Sequence, residues 1–183
     1  MTSMSQSIEH NPDSAWSRAL GTALKQQRPG QHQWRLDLID GPNMSNLGSG
    51  GRDPRTYGVV TSLAALQGSI MAMAEGLGIT MTSYHSNHEG DVVAHLYETA
   101  ASVDGFLINP AALTRYSAPT KIALAESRRP FIEMHFANVT ALDWIGGTMT
   151  PLATGVVMGL RHYSYMGALF GFVAALDAGV IEQ

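Results

Sequence analysis

The chain has 183 residues, about the length of one domain, and its 45% hydrophobic and 14% charged residues are typical of a globular protein that is low in charge. Its formal net charge of −4 argues against a nucleic-acid-binding surface, and the absence of cysteine excludes disulfides, thiolate metal ligands and cysteine nucleophiles. The low charge is a hint that other copies of the chain cover part of the surface. The first 16 residues lack the apolar stretch of a secretory signal, and no segment reaches the length of a membrane helix, so we expect a cytoplasmic protein without a membrane partner.

The first part of the chain, residues 1–33, is predicted to be an extension of the domain that follows over 34–183. It contains one helical pattern, which begins at Asp13 or Ser14 and is stopped by the Pro-Gly pair that follows it. We expect this helix to pack on the surface of the domain or on a neighbouring subunit.

From Trp34 onwards, short hydrophobic stretches alternate with helical patterns, which predicts parallel strands with helices on both faces of the sheet. The fold class is therefore α/β, a flavodoxin-like three-layer sandwich with a parallel five-stranded sheet, plus the N-terminal helical extension. The strands are predicted over 34–40, 79–86, 104–110 and 130–136, with a short fifth strand near Met149–Pro151.

Capping residues mark the helices between these strands. Ser62 or Thr61 begins the first helix and Gly78 ends it; Ser86 and Glu89 fit a capping box for the second. The third helix begins at Ser117 with Pro119 in its first turn, and a long final helix is predicted over 154–179.

Polar side chains follow the predicted strands, at the edge of the sheet where ligands bind in this fold class. Asn43 follows the first strand and Asn109 the third, the residues SNHEGD follow the second, and Glu133 and His135 end the fourth, before Ala137 and Asn138. Asn43 and Asn109 are equally consistent with ordinary turn chemistry.

Glu133 and His135 are the strongest candidates for chemistry among these residues. A single histidine on a strand is often a core residue bonded to a backbone carbonyl. Here, however, Glu133 lies on the same strand face, where a carboxylate can hold the imidazole and raise its pKa. A buried glutamate without such a role is costly, so the pair indicates function.

Arg52 and Tyr57 lie on the glycine-rich loop that follows the first strand. A tyrosine is a poor base because its pKa is about 10, but a nearby guanidinium stabilises the phenolate and lowers that value. The pair predicts a base carried on a lid, with His135 as the complementary acid, which suits proton abstraction next to a carbonyl followed by loss of water. Both residues are also compatible with a plain surface loop.

The sequence argues against nucleotide and metal sites. The loop lacks GxxxxGK[ST] and GxGxxG, and His85, His88 and Glu89 lack a recognised ligand spacing. We expect no metal and no cofactor.

Four blocks of the sequence carry a resemblance to a known family. The stretch LIDGPNMSNLGSGGRDPRTYG resembles the GPNLNLLGxRxPxxYG signature of type II 3-dehydroquinate dehydratases, and SNHEGDVVAHLYETAASVDGFLINPAALT, PFIEMHFANV and PLATGVVMGL are similar to later blocks, the last to the start of the final helix. The resemblance implies a cofactor-free elimination of water from 3-dehydroquinate through an enolate, in a homo-oligomer built as a trimer or dodecamer.

The resemblance also implies roles for individual residues. Tyr57 is then the base, Arg52 lowers its pKa, and Asn43 holds a water against the enolate oxygen. His135 is the general acid oriented by Glu133. The implied substrate-binding residues are Asn109, Arg115, Ala137 and Asn138.

Several residues that are typical of the family are replaced in this chain. In the family, most of the replaced residues contact the substrate. Arg115 stands in place of a histidine, Ile122 in place of an aspartate that reaches a neighbouring subunit, and Ala137 in place of a serine; an expected arginine is missing near Gly146 and Gly147. The candidates that would rebuild the pocket are Arg161, His162 and Arg115. The alternatives are dehydration of a different hydroxy-carbonyl compound, or a non-catalytic binding protein, against which the retained acid and base residues argue.

Overall fold

The computed structural model describes residues 13–51, 53, 62–142 and 149–181. Its sheet has five parallel strands in the order β2-β1-β3-β4-β5, which confirms the predicted flavodoxin-like α/β fold. The strands are β1 (Arg35–Asp40), β2 (Thr80–His85), β3 (Gly105–Asn109), β4 (Phe131–His135) and β5 (Gly155–Met158). The strand order reverses between β1 and β3, where this fold class opens a crevice at the carboxyl edge.

Helices pack on both faces of this sheet. The helices of the described residues are α1 (Ser14–Lys25), α2 (Leu63–Leu77), α3 (Glu89–Thr99), α4 (Leu113–Tyr116), α5 (Ala118–Ser127) and α6 (Tyr163–Asp177). Apolar side chains of α2 and α6 pack on one face, and those of α3 and α5 pack on the other. Along β1, Leu36 and Leu38 belong to the first core and Ile39 to the second, because successive side chains of a strand point to opposite faces.

Three of the predicted helix starts are confirmed by their capping bonds. The side chains of Asp13, Ser62 and Ser117 accept hydrogen bonds from the backbone of the third residue after each, at 2.6, 3.0 and 2.9 Å. Gly78 ends α2 in the left-handed conformation with φ of 77°, as predicted.

The predicted capping box at α3 is wrong. Ser86 Oγ accepts from the backbone of His88 at 2.9 Å, one position earlier than a box requires. Glu89 turns away from its own helix, and its Oε1 accepts from Ser117 Oγ and from Thr120 Oγ1 at the start of α5. A tertiary contact between α3 and α5 therefore replaces the local pattern.

The predicted positions of the fifth strand and of the start of the final helix are also wrong. Met149–Pro151 leads into a 3₁₀ turn, Thr150–Leu152, since Pro151 has no N–H to donate to a sheet and suits a helical first turn. The strand β5 follows at Gly155–Met158, and α6 begins only at Tyr163. The β-branched Val-Val pair in β5 favours a strand over the helix that was predicted there.

The N-terminal helix α1 packs closely on α2 of the same chain. A Cβ at Gly21 would lie 2.2 Å from the carbonyl oxygen of Met73, and one at Gly76 would lie 2.3 Å from that of Arg18. Only glycine permits this approach of two backbones. Whether residues 1–33 form a separable extension stays a prediction, but the described part of this segment is an integral layer on α2.

A buried ion pair ties the end of this segment to α6. The Arg28 guanidinium donates to both oxygens of Asp177, at 2.6 and 2.9 Å, and to the carbonyl oxygen of Leu77 at 2.8 Å; the two charged side chains are fully buried. Trp34 Nε1 donates to the same carboxylate at 2.9 Å. Burial opposes ionisation of Asp177, but the bonds from Arg28 and Trp34 outweigh it and hold its pKa below the usual value.

We expect Gly21→Ala to lower the thermal unfolding midpoint, because the added methyl group must push α1 away from α2 at a cost of about 1–3 kcal/mol. The matched control is Gly68→Ala on α2, where the nearest atom to the new Cβ would be 3.8 Å away and the midpoint should stay or rise. Equal midpoints for the two variants would contradict the close packing of α1.

We expect Asp177→Asn to destabilise the protein by about 3–5 kcal/mol at neutral pH, because it leaves the buried Arg28 charge uncompensated. The Asp177 carboxylate stabilises the fold above its unfolded pKa of about 3.9, and this contribution is lost as the pH falls through the lower folded value. Denaturant unfolding should therefore show the gap between wild type and variant closing in acid. Glu75→Gln, which breaks an exposed 2.7 Å pair with Arg18, should cost far less.

Candidate active site

The structure brings Glu133 and His135 together at the carboxyl end of β4. The two side chains project from the same strand face, and His135 Nε2 lies 2.7 Å from Glu133 Oε1. Both are buried, with 1% and 4% of their surface exposed. This confirms that the two predicted residues form a hydrogen-bonded pair.

Two threonines complete the shell around Glu133. Thr114 Oγ1 on α4 donates to Oε1, and Thr150 Oγ1, in the turn before β5, donates to Oε2 at 2.7 Å. Burial opposes ionisation of Glu133, but the bonds from His135, Thr114 and Thr150 outweigh it and hold its pKa below the usual value. The carboxylate is therefore ionised near neutral pH and accepts every one of these bonds.

The ionised Glu133 determines which ring nitrogen of His135 is available to a ligand. A carboxylate has no hydrogen to give, so Nε2 must carry the hydrogen of the bond between them. The other ring atom, Nδ1, is then the one that can exchange a proton with a ligand.

Asn109 ends β3 on the opposite face of the sheet, the face covered by α2 and α6. Its Nδ2 donates to the Tyr165 hydroxyl at 2.7 Å and approaches Met44 Sδ at 3.4 Å, and its Oδ1 accepts from the backbone of Ala111 at 3.1 Å. Tyr165 in turn donates to Asp40 Oδ1 at 2.6 Å. These contacts place Asn109 at the reversal of strand order between β1 and β3, in a buried network.

Asp40 ends β1 inside the same network, and its side chain is fully buried. Gln67 Nε2 on α2 donates to its second oxygen at 2.9 Å. Burial raises the pKa of Asp40 to about 6, and the bonds from Tyr165 and Gln67 only partly offset that rise.

Asn43 lies on the loop that follows β1, in the left-handed conformation with φ of 69°. Its backbone N–H donates to Asn87 Oδ1 at 2.8 Å, and Asn87 also donates to Ser45 at 3.1 Å. A residue just after β2 therefore holds the start of the glycine-rich loop. Asn43 is exposed at this edge of the sheet.

The remaining predicted substrate-binding residues have different settings. Arg115 on α4 is exposed, with its guanidinium 5.4 Å from the centre of the Tyr116 ring. Ala137 is buried two residues after His135. Asn138 is exposed, and its Oδ1 accepts from the backbone and hydroxyl of Thr140 at 3.2 and 2.5 Å, so it caps the turn that follows β4. These contacts do not join Arg115 or Asn138 to the Glu133–His135 pair.

The proposed base and its partner, Tyr57 and Arg52, lie outside the described residues, as do Gly146 and Gly147. Their approach to His135 stays a prediction. Arg161, one of the candidates for rebuilding the pocket, donates its backbone N–H to the carbonyl oxygen of Phe136 at 3.0 Å, beside the end of β4.

His162, a further candidate for rebuilding the pocket, is buried just before α6. Neither of its ring nitrogens has a hydrogen-bond partner among the described residues. Burial, and then the charge of Arg161, lower its pKa, so the neutral imidazole is favoured.

Sequence reasoning missed several residues of this edge. Asp40 carried a usable signal, because an acidic residue at the end of a buried strand occupies the same kind of position as Asn109. Thr114, Thr150 and Tyr165 carried none, since hydroxyl side chains in loops and helices are common and their partners lie far away along the chain.

In residues 13–51, 53, 62–142 and 149–181, no group of three metal-ligating side chains is close enough to hold an ion. Within that same part of the chain, none of the helices has the length and apolar character needed to cross a membrane.

The fold and the Glu133–His135 pair together define an α/β protein of flavodoxin-like topology with a buried carboxylate–imidazole pair at the carboxyl edge of its sheet. The family model for class II dehydroquinases matches residues 34–173. The chain belongs to the class II dehydroquinase family. The match contains every predicted site residue and leaves α1 outside it.

Named relatives agree with this assignment. The chain is 40% identical over 134 residues to the catabolic 3-dehydroquinase of Aspergillus clavatus, covering 72% of this chain and 87% of that protein. It is 37% identical over 137 residues to the 3-dehydroquinate dehydratase of Roseiflexus castenholzii, covering 74% and 85%. Among solved structures, the type II dehydroquinase of Butyrivibrio crossotus superposes with a TM-score of 0.71 at 29% identity, covering 77% of this chain and 97% of that one. The type II dehydroquinase of Propionibacterium acnes also gives 0.71, at 26% identity, covering 78% and 98%.

We expect Thr150→Val to raise the pKa of Glu133, because the variant removes a hydrogen bond that stabilises the ionised form. A pH titration of the glutamate carboxyl carbons by NMR measures this directly. Thr140→Val is the matched control, since that hydroxyl donates to Asn138 and the Glu133 titration should stay in place. An unchanged Glu133 titration in Thr150→Val would contradict the three-donor arrangement.

Proposed function

We propose that this protein is a type II 3-dehydroquinate dehydratase, a carbon–oxygen lyase that removes water from 3-dehydroquinate through an enolate to give 3-dehydroshikimate. The observation that carries the proposal is the buried Glu133–His135 pair at the carboxyl edge of the sheet, in a chain of this family. The names of the relatives support the same reaction.

In this proposal Tyr57 is the base. Arg52 lowers its pKa, so that the phenolate removes a proton from the carbon next to the carbonyl and the electron pair passes to the carbonyl oxygen. Asn43 holds a water against the resulting enolate oxygen. The left-handed backbone of Asn43 and the bond from its N–H to Asn87 fix the start of the loop that carries the base. This support for the position of Asn43 is consistent with its role in holding the water.

His135 is the acid of the second step. The enolate electron pair returns, the carbon–oxygen bond breaks, and the departing hydroxyl takes the proton from Nδ1 to leave as water. The neutral imidazole regains a proton from the solvent, and the phenol releases its own. Glu133 supports this step by fixing the orientation of the ring through Nε2.

Substrate recognition is the part of the proposal in which this chain departs most from its family. We assign Asn109, Arg115, Ala137 and Asn138 to substrate binding, with Arg161 and His162, between β5 and α6, as further candidates. The exposed position of Arg115 over Tyr116, and the loss of a hydroxyl at Ala137, favour a second candidate: dehydration of a related hydroxy-carbonyl compound with fewer groups to be recognised.

Assembly into a trimer or dodecamer in the cytoplasm, without a metal or cofactor, is part of the same proposal. Large apolar side chains that are exposed in the single chain support association: Tyr116 is 73% exposed and Ile122 is 51% exposed. Both lie on the connected helices α4 and α5.

We expect the wild-type protein to convert 3-dehydroquinate to the conjugated product, whose absorbance measures the rate. His135→Ala should lower kcat by about 10²–10⁴. His32→Ala is the matched control: this exposed histidine packs on Trp34, and its removal should leave kcat unchanged. Tyr57→Phe should abolish turnover while ligand affinity is kept.

Two results would count against the proposal. Wild-type protein that binds 3-dehydroquinate without converting it would favour the binding-protein alternative. Turnover of a related hydroxy-carbonyl compound at a higher kcat/KM than 3-dehydroquinate would favour the second candidate substrate.

A further inference from the structure

We propose that Asp40 is a positioning residue of this site, which acts through the Tyr165 hydroxyl to set the orientation of the Asn109 side-chain amide. The effect on catalysis rests on the proposed function, whereas the relay itself rests on the geometry of the buried network. Asp40 and Tyr165 touch no reacting group in the mechanism above.

The direction of each hydrogen bond follows from the chemistry of the groups. Tyr165 has one hydroxyl hydrogen, and it donates this to Asp40 Oδ1 at 2.6 Å. The phenol oxygen can then only accept from its other neighbour, so Asn109 must point its Nδ2 at Tyr165, at 2.7 Å. An amide held at one end has its other end fixed, and Asn109 Oδ1 accepts from the backbone of Ala111 at 3.1 Å.

The Asn109 amide in turn holds the chain where the loops after β1 and β3 meet. Ala111 has a φ of 50°, a conformation that side-chain-bearing residues rarely adopt, and the bond to Asn109 Oδ1 stabilises it. The carbonyl oxygen of Asn109 accepts from Gly41, at the root of the glycine-rich loop, at 2.8 Å. Three residues after Ala111, Thr114 donates to Glu133. A reversed amide would place an N–H against the N–H of Ala111 and disturb this junction.

The ionisation of Asp40 decides whether the relay keeps its direction. A carboxylate can only accept from Tyr165, whereas a protonated carboxyl can also donate and so permits reversal. Asp40 faces the titratable groups of Tyr165 on α6 and of His85, its own register partner on β2, and it accepts a hydrogen bond from the neutral amide of Gln67 on α2. Since the pKa of Asp40 is about 6, the relay is locked above that pH and loosened below it.

The test is Asp40→Asn, whose amide can present either an oxygen or an N–H to Tyr165. We expect kcat/KM at pH 8 to fall about tenfold, the size of a misplaced polar contact of about 1.4 kcal/mol. In the wild type we expect kcat/KM to rise through pH 6 as Asp40 ionises, and this rise should be absent from the variant. In the double variant Asp40→Asn with Gln67→Glu, the new carboxylate at position 67 must accept from the amide introduced at position 40. That bond turns the amide oxygen back to Tyr165 and should restore most of the activity.

Asp37→Asn is the matched control. Asp37 is also fully buried on β1, with Thr82 and His95 as partners at 2.6 and 2.7 Å, but it lies three residues before Asp40 and so projects to the opposite face. It should keep kcat/KM within about threefold and keep the pH profile, even if its thermal midpoint falls. A loss in Asp37→Asn equal to that in Asp40→Asn, or no rescue by Gln67→Glu, would overturn the positioning role.

A readout without substrate separates this inference from the proposed function. The NMR signals of the Asn109 side-chain amide, assigned with Asn109→Asp, should shift between pH 5 and 7 in wild type and stay constant in Asp40→Asn, a window centred on the Asp40 pKa of about 6. If they shift while 3-dehydroquinate is not converted, the relay stands and the proposed function fails. If they do not shift in wild type, the relay is wrong whatever the activity.

Discussion

A buried carboxylate must have its oxygens satisfied by donors, and this constraint organises the structure. Glu133 receives hydrogen bonds from His135 on its own strand and from two threonines in separate segments. Because those donors come from parts of the chain that are far apart, satisfying one charge also fixes where α4 and the turn before β5 lie. The His135 ring is therefore held by the same contacts that close this edge of the sheet.

The same constraint recurs at two other carboxylates, with different results. Asp177 is paired with a guanidinium and stays ionised, and the pair attaches the segment that carries α1 to the last helix. Asp40 has only neutral donors, so burial is not fully compensated and its pKa rises to about 6. The nature of the donor thus decides whether a buried acid serves as a rigid anchor or as a group that titrates near neutral pH.

The side chains of the candidate site lie on both faces of the sheet. The Glu133–His135 pair projects towards α3 and α5, whereas Asp40, Tyr165 and Asn109 project towards α2 and α6. The two groups meet through backbone, at the turn from Asn109 to Thr114. The carboxyl edge therefore combines the Glu133–His135 pair on one face with a loop junction that is organised from the other face.

Local sequence was sufficient wherever the determining contact is local. The alternation of strands and helices, the caps at Asp13, Ser62 and Ser117, and the Glu133–His135 spacing were all predicted, since each depends on residues within a few positions of one another. The Ser117 and Thr120 partners of Glu89, the close approach of α1 and α2 and the donors around Glu133 and Asp40 were decided by tertiary structure. In each of these cases the free energy of a distant contact outweighs a local preference, and the distance along the chain hides that contact from any pattern in the sequence.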